Sequence, residues 1–221
     1  MKEEQGFESQ RERMVREQIA RRGIRDKRLL KAMRTIPRHR FLPEGQRRWA
    51  YADGAQRIGL GQTISQPYIV ALMTDVLELM GDERVLEVGT GSGYQAAILS
   101  QLAAEVHTIE RHPKLAEDAR VVLDELEIDN VHVHIGDGTL GLQEYAPYQG
   151  IMVTAAAPNV PQSLLQQLDE NARLVLPVGE RFTQVLQVWQ RKGDKYTHNT
   201  ITAVAFVPLI GKEGWNEDRW G

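Results

Sequence analysis

The run Val85-Leu86-Glu87-Val88-Gly89-Thr90-Gly91-Ser92-Gly93 restricts the fold of this chain more than any other stretch. A short apolar segment with one embedded acid reads as a buried parallel strand, and it breaks at once into three alternating glycines. Helical spacing resumes through Tyr94-Gln95-Ala96-Ala97-Ile98-Leu99. Glycines at such a junction let the backbone turn sharply and leave no Cβ between it and a ligand. The helix that opens there presents unpaired N–H groups. Strand, glycine turn and helix together predict a nucleotide-type cofactor at the carboxyl end of the first strand of an α/β sheet.

Spacing narrows the cofactor. A dinucleotide fingerprint needs a small residue three places after Gly91, where Tyr94 stands, and a phosphate-cradling P-loop needs a Lys-Ser or Lys-Thr that is absent. A carboxylate at Glu87, two residues before the first glycine, would repel a pyrophosphate. It suits a cofactor with a cationic amino-acid end, as S-adenosylmethionine has. A second strand, Val106 to Ile109, ends in Glu110, whose carboxylate can accept hydrogen bonds from both ribose hydroxyls. A third, Val131 to Ile135, runs into Gly136-Asp137-Gly138 and puts an acid beside the adenine. Taken singly, each acid has a plainer reading: a cap or surface ion pair for Glu87, a solvated neighbour of Arg111 for Glu110, a turn residue for Asp137. Three strand-end acids in chain order, with the glycine turn at the first, predict an S-adenosylmethionine-dependent methyltransferase.

The rest of the chain fits that class. Its 221 residues suffice for one domain that buries a sheet between two helix layers. Two helices are expected within 7–36, stopped by Pro37, then a polar irregular segment over 38–62 and a helix from Pro67 through Leu79. Strands 84–88, 105–110, 131–136, 150–155 and 172–178 follow, with helices at 93–103, 113–126 and 161–168. Residues 183–190 and 200–207 alternate polar and apolar around Arg191-Lys192-Gly193-Asp194, which predicts an antiparallel pair. The expected fold is a doubly wound, mostly parallel seven-stranded Rossmann-like α/β sheet with an N-terminal helical cap and that C-terminal antiparallel pair. Its parts are a cap and substrate-side loop at 1–66, a methyltransferase core at 67–211, and a mobile tail at 212–221.

Charge and composition exclude other classes. A formal charge of −3 gives no electrostatic reason to expect a polyanion, and the absence of cysteine removes disulfides, thiolate metal sites and thiol nucleophiles. No signal-like apolar stretch follows Met1 and no run reaches membrane-spanning length, so a cytoplasmic protein without membrane or nucleic-acid partners is expected. His132 and His134 share a strand face but lack a third ligand at plausible spacing, so no metal is expected. The tryptophans Trp49, Trp189, Trp215 and Trp220 are scattered and form no base-stacking pattern.

Just before the glycine turn stands Ile58-Gly59-Leu60-Gly61-Gln62-Thr63-Ile64-Ser65-Gln66-Pro67. Together with 85–93, Gly136-Asp137-Gly138, Thr154-Ala155-Ala156-Ala157-Pro158 and Leu174-Val175-Leu176-Pro177-Val178-Gly179, it resembles the protein-L-isoaspartate O-methyltransferases over about residues 37–211. The resemblance implies methyl transfer from S-adenosylmethionine, leaving S-adenosylhomocysteine, to the free α-carboxylate of L-isoaspartyl residues in damaged proteins. A succinimide then restores the aspartyl linkage. It implies Ser65 as the active-site residue, also touching substrate, with Thr63 and Ile64 against the cofactor. It assigns Glu87, Gly89, Thr90, Gly91, Ser92 and Gly93 to the cofactor, then Glu110 with Arg111, and Asp137 with Gly138. Val207, Pro208 and Leu209 would line the substrate cleft, and a monomer would meet isoaspartyl proteins and peptides there. Two positions depart from many such proteins: Gln56-Arg57 where Leu-Pro is frequent, and Asn171-Ala172 where Gly-Gly is frequent.

The chemistry needs no strong base. A carboxylate acceptor, with a reference pKa of about 4, is ionised at neutral pH. The protein has to hold a geometry and exclude water. A neutral hydroxyl such as Ser65 orients a carboxylate without neutralising it, whereas a buried lysine would bind the ground state too well. A capping role suits Ser65 less, because Pro67 at the first helical position makes Gln66 the cap. A nucleic-acid methyltransferase on the same fold would call for a polar-Pro-Pro-aromatic element at 154–158, and the covalent route to a pyrimidine needs a cysteine. A non-catalytic cofactor-binding module would have no use for Ser65.

Overall fold

The computed structural model describes residues 2–217, with side chains from Gln5 onward. Helix α1 (Lys2–Met14) runs on through a π turn and a 3-10 turn to Arg22 and stops at Gly23, whose φ of +107° suits glycine at a helix end. Asp26 starts α2 (Lys27–Thr35) by accepting the N–H groups of Arg28 and Leu29 at 2.7 and 3.3 Å. Phe7, Met14, Val15, Ile19, Leu29 and Met33 are buried in one cluster with residues of α3 (Pro67–Asp75) and α4 (Tyr94–Leu99). The cap is therefore continuous with the main core. Residues 38–62 are more ordered than their composition suggests. They hold two 3-10 turns (Arg38–Phe41 and Glu44–Trp49) and one strand of a hairpin, β1 (Gln56–Gly59) paired with β2 (Gln62–Ile64).

Seven further strands form one sheet: β3 (Arg84–Val88), β4 (Glu105–Glu110), β5 (Val131–Ile135), β6 (Tyr148–Val153), β7 (Leu168–Glu180), β8 (Thr183–Lys192) and β9 (Lys195–Val204). Their order is β5-β4-β3-β6-β7-β8-β9, parallel as far as β7 and antiparallel at β8 and β9. The expected sheet and its C-terminal antiparallel pair are both present. On β3 and β4, Val85 and Val106 enter one buried cluster while Leu86, Val88 and Ile109 enter the other. Burial on both faces explains why these strands read as continuous apolar runs. Helices α5 (Pro113–Glu125) and α6 (Gln162–Gln166) follow β4 and β6. The chain leaves β3 towards β4 and β5 on one side and returns to β6 on the other, so the carboxyl ends of β3 and β6 flank the topological switch point.

Residues 212–217 correct the expectation of a mobile tail. The Lys212 N–H donates to Asp137 Oδ2 at 2.8 Å, the Trp215 N–H to the Leu209 carbonyl at 2.7 Å, and the Glu213 carboxylate accepts the Ser163 N–H at the start of α6 at 3.0 Å. A Cβ on Gly211 would lie 2.1 Å from Asp137 Oδ1, and one on Gly214 would lie 2.2 Å from the Leu209 carbonyl oxygen. These contacts are polar and backbone-based, so no hydrophobic period announces them. The rest of that segment, 218–221, lies outside the described residues.

Candidate active site

Of the three expected strand-end acids, Glu87 and Glu110 lie beside the glycine turn. Glu87, second from the end of β3, is fully buried. Thr90 donates to Thr108 at 2.7 Å and Thr108 donates to Glu87 Oε2, while Glu87 Oε1 is buried without a hydrogen-bond partner. Burial pushes this carboxyl up to about 8; the Thr108 bond opposes the shift and the charge of Glu110 adds to it. The turn that follows is tightly fitted. A Cβ on Gly89 (φ +97°) would stand 2.4 Å from Thr154 Oγ1, and the Thr154 hydroxyl donates to the Gly89 carbonyl at 2.6 Å. Gly93 (φ +86°) lets α4 close on α5, since a Cβ there would be 3.2 Å from that of Ala119. Ser92 accepts the Tyr94 N–H within 3.4 Å.

Glu110, at the tip of β4 and 5 % exposed, braces the turn directly. Its Oε2 accepts the Gly91 N–H at 2.8 Å and its Oε1 the His112 N–H at 2.9 Å. Each oxygen keeps a lone pair for a ligand hydroxyl. Gly89, Gly91, Ile109, Glu110, Arg111, His112, Gly138, Thr154 and Val207 to Ile210 border one cleft. Arg111 meets that cleft while pairing with Glu217. Asp137 differs from expectation. Its carboxylate accepts the Thr139 N–H, the Thr139 hydroxyl and the Lys212 N–H, so Gly138 rather than Asp137 borders the cleft.

A second cleft, of about 530 Å³, opens beside the first and is bordered by Asp53, Thr63, Ser65, Gln66, Thr154 and residues 203–207. Ser65 is half-buried, and its hydroxyl makes no hydrogen bond among the described residues. It also borders the small cavity around Glu87, Gly89 and Gly91, together with Thr63 and Ile64. Ser65 therefore stands in the wall common to both spaces. Gln66 occupies the cap position of α3 ahead of Pro67, with no capping bond from its side chain, whose amide donates instead to Asp53 Oδ1 at 2.6 Å. Pro208 and Leu209 face the cofactor-side cleft, and Val207 borders both clefts. Sequence reasoning missed Thr154 as a site residue, although it borders all three spaces. Its place at the tip of β6, opposite the glycine turn, was the available signal.

Away from these clefts, β4 brings His107 between His132 and His134. His107 Nδ1 lies 3.1 Å from His134 Nε2, and Tyr145 stacks on its ring at 4.1 Å. Burial pushes the His107 imidazole down to about 4 and lowers that of His134 as well. Among the described residues, no group of three or more His, Cys, Asp or Glu is placed to hold a metal, and no helix is long and apolar enough to cross a membrane.

A partnerless buried carboxylate oxygen at Glu87, a doubly anchored carboxylate at Glu110 and an apolar slot at Ile109, Gly138 and Leu209 suit the ammonium, ribose and adenine of S-adenosylmethionine. Fold and site together define an S-adenosylmethionine-dependent methyltransferase. The sequence profile of the protein-L-isoaspartate(D-aspartate) O-methyltransferase family matches residues 9–214, and the chain belongs to that family. Among protein-L-isoaspartate O-methyltransferases, that of Methanoregula boonei is 55% identical over 206 residues, covering 93% of this chain and 95% of its own. That of a Roseiflexus species is 50% identical over 214 residues, covering 97% and 98%. A solved protein-L-isoaspartate O-methyltransferase matches with a TM-score of 0.81 at 29% identity, over 92% of this chain and 67% of its own. A Plasmodium falciparum relative solved with S-adenosyl-L-homocysteine matches with a TM-score of 0.78 at 25% identity, over 90% and 98%.

Proposed function

We propose that this enzyme methylates the free α-carboxylate of L-isoaspartyl residues in damaged proteins, with Ser65 orienting that carboxylate. The observation that carries this reading is the position of Ser65, in the wall common to the cofactor-side cavity and the acceptor cleft. When bound, S-adenosylmethionine supplies a methyl group on a sulfonium, an electrophile that an ionised carboxylate accepts without a general base. The side chains then have positional tasks. Glu87 takes the ammonium end, Glu110 the ribose hydroxyls, and Ile109, Gly138 and Leu209 the adenine. Thr154 pins the Gly89 carbonyl and so keeps the glycine turn closed against β6. Ser65 donates to one carboxylate oxygen and leaves the other free to react. Packing of the β1–β2 hairpin over Gly91, with Ile58 Cδ1 3.5 Å from where a Cβ would be, excludes water from the cofactor side.

A monomer as the acting unit, a cytoplasmic location and protein rather than nucleic acid as substrate complete the reading. The test offers an L-isoaspartyl peptide, its L-aspartyl isomer and an RNA pool to the enzyme with labelled cofactor. Only the isoaspartyl peptide should be methylated, with methanol released as the ester closes to a succinimide. The isomers place the carboxylate about one C–C bond apart, and a misplacement of about 1 Å costs about a hundredfold in rate. Comparable methylation of both isomers, or transfer to RNA alone, would sink the reading.

Ser65→Ala should lower kcat by about tenfold to a hundredfold with cofactor affinity nearly intact, the loss expected for one hydrogen bond to a charged group. Steady-state kinetics and calorimetric titration read the two quantities. A lowered melting temperature with unchanged kcat would make Ser65 a structural residue.

A further inference from the structure

Behind the acceptor wall lies an arginine that borders neither cleft. Arg38, at the start of the 3-10 turn Arg38–Phe41, is fully buried. Its Nε–H donates to the Ala50 carbonyl and its Nη2–H to the Ser65 carbonyl, both at 2.7 Å. Its guanidinium lies over the Tyr94 ring, 4.8 Å from the centroid, and Tyr94 is the first residue of α4, directly after Gly93 of the cofactor turn. Nη1 is buried without a hydrogen-bond partner, and its ionisable neighbours among the described residues are Tyr94 and Tyr51, not a carboxylate. A buried cation without a counter-ion destabilises a fold, and an apolar side chain of similar volume would carry less penalty. An apolar side chain could not, however, grip the Ser65 carbonyl and the Tyr94 ring at once. A planar, five-donor guanidinium does so, and the point charge of a lysine does not.

We propose that Arg38 is a positioning residue for methyl transfer: it fixes the Ser65 backbone against Tyr94 at the glycine turn and so sets the spacing between acceptor and cofactor. The Ser65 Cβ and carbonyl carbon share one Cα, so a held carbonyl fixes the axis about which the hydroxyl turns. This rests on Ser65 as the residue that orients the acceptor.

A double-mutant cycle tests it with wild type, Arg38→Lys, Ser65→Ala and the double variant. The readouts are kcat and KM on an L-isoaspartyl peptide, Kd for S-adenosylhomocysteine, and circular dichroism for folding. Arg38→Lys should lower kcat by about tenfold or more, as a sub-ångström misplacement does. It should leave the S-adenosylhomocysteine Kd within about threefold and lower kcat no further when Ser65 is already alanine. Additive losses in the cycle, or kcat and cofactor affinity falling together, would make Arg38 a purely structural residue and overturn the proposal. If Ser65→Ala alone leaves kcat unchanged, the role of Ser65 falls, and the route through which Arg38 acts falls with it. Should Arg38→Lys fail to fold, Arg38→Gln, which keeps a donor without a buried charge, enters the same cycle under the same criteria.

Discussion

Glu110→Ala is expected to weaken S-adenosylhomocysteine binding by about a hundredfold to a thousandfold. One hydrogen bond to a charged group is worth about 1.5–3 kcal/mol, which is roughly one to two orders of magnitude in affinity. The larger figure follows because the same carboxylate holds the Gly91 and His112 N–H groups, so its removal slackens the cofactor turn as well as the ribose contact. Glu117→Ala is the control, an exposed acid on α5 paired with Arg120. Calorimetric titration of both variants decides. Equal losses would remove the ribose assignment, and a lowered melting temperature with unchanged affinity would leave Glu110 as a brace only.

The affinity for S-adenosylhomocysteine is expected to climb about a hundredfold between about pH 5.5 and 7.5. Burial holds Glu87 protonated to about 8 in the free protein, whereas an ammonium beside it favours the carboxylate. Binding then expels a proton, and affinity rises roughly tenfold per pH unit until the free protein is itself ionised. Titrations in two buffers of different ionisation heat should count about one proton released, and Glu87→Gln should flatten the profile. The same shift acts on stability in the opposite direction. A carboxyl whose folded pKa is raised favours the folded, ligand-free state fully below about 4.5, and that contribution is lost as pH rises through about 8, at up to about 1.4 kcal/mol per unit. An identical slope in wild type and Glu87→Gln would place the proton elsewhere.

The parts of this protein that a reader of the sequence can find are those built from periodicity and glycine. Strands buried on both faces show as apolar runs, and acids at their tips stand out against them, as Glu87 and Glu110 do. What escaped was structure made by polar groups. Arg38 lies in an Arg-rich stretch and reads as solvated, yet it is fully buried because two carbonyls and an aromatic ring replace its water. The β1–β2 hairpin is short, and its Gly59-Leu60-Gly61 tip, with all three φ values positive, reads as loop. Asp137 sits where a cofactor acid is expected, but its oxygens are taken by the nearby Thr139 and the distant Lys212, a contact no spacing encodes. Asn171 marks the reverse case. Its φ of +61° suits glycine, and asparagine tolerates that conformation better than most residues.

The docked segment at 207–217 also bears on how the protein is made. The cofactor-side cleft draws its walls from 62–63, 88–91, 109–112, 138, 154–155 and 207–210, so the last wall is translated long after the glycine turn. A chain that ends before residue 207 has every strand of the sheet through β9 but lacks the part of the cleft wall that Val207 to Ile210 supply. Ligand binding adds stability only to a state that can hold the ligand. Bound S-adenosylhomocysteine should therefore raise the melting temperature of the full chain more than that of a chain ending before residue 207.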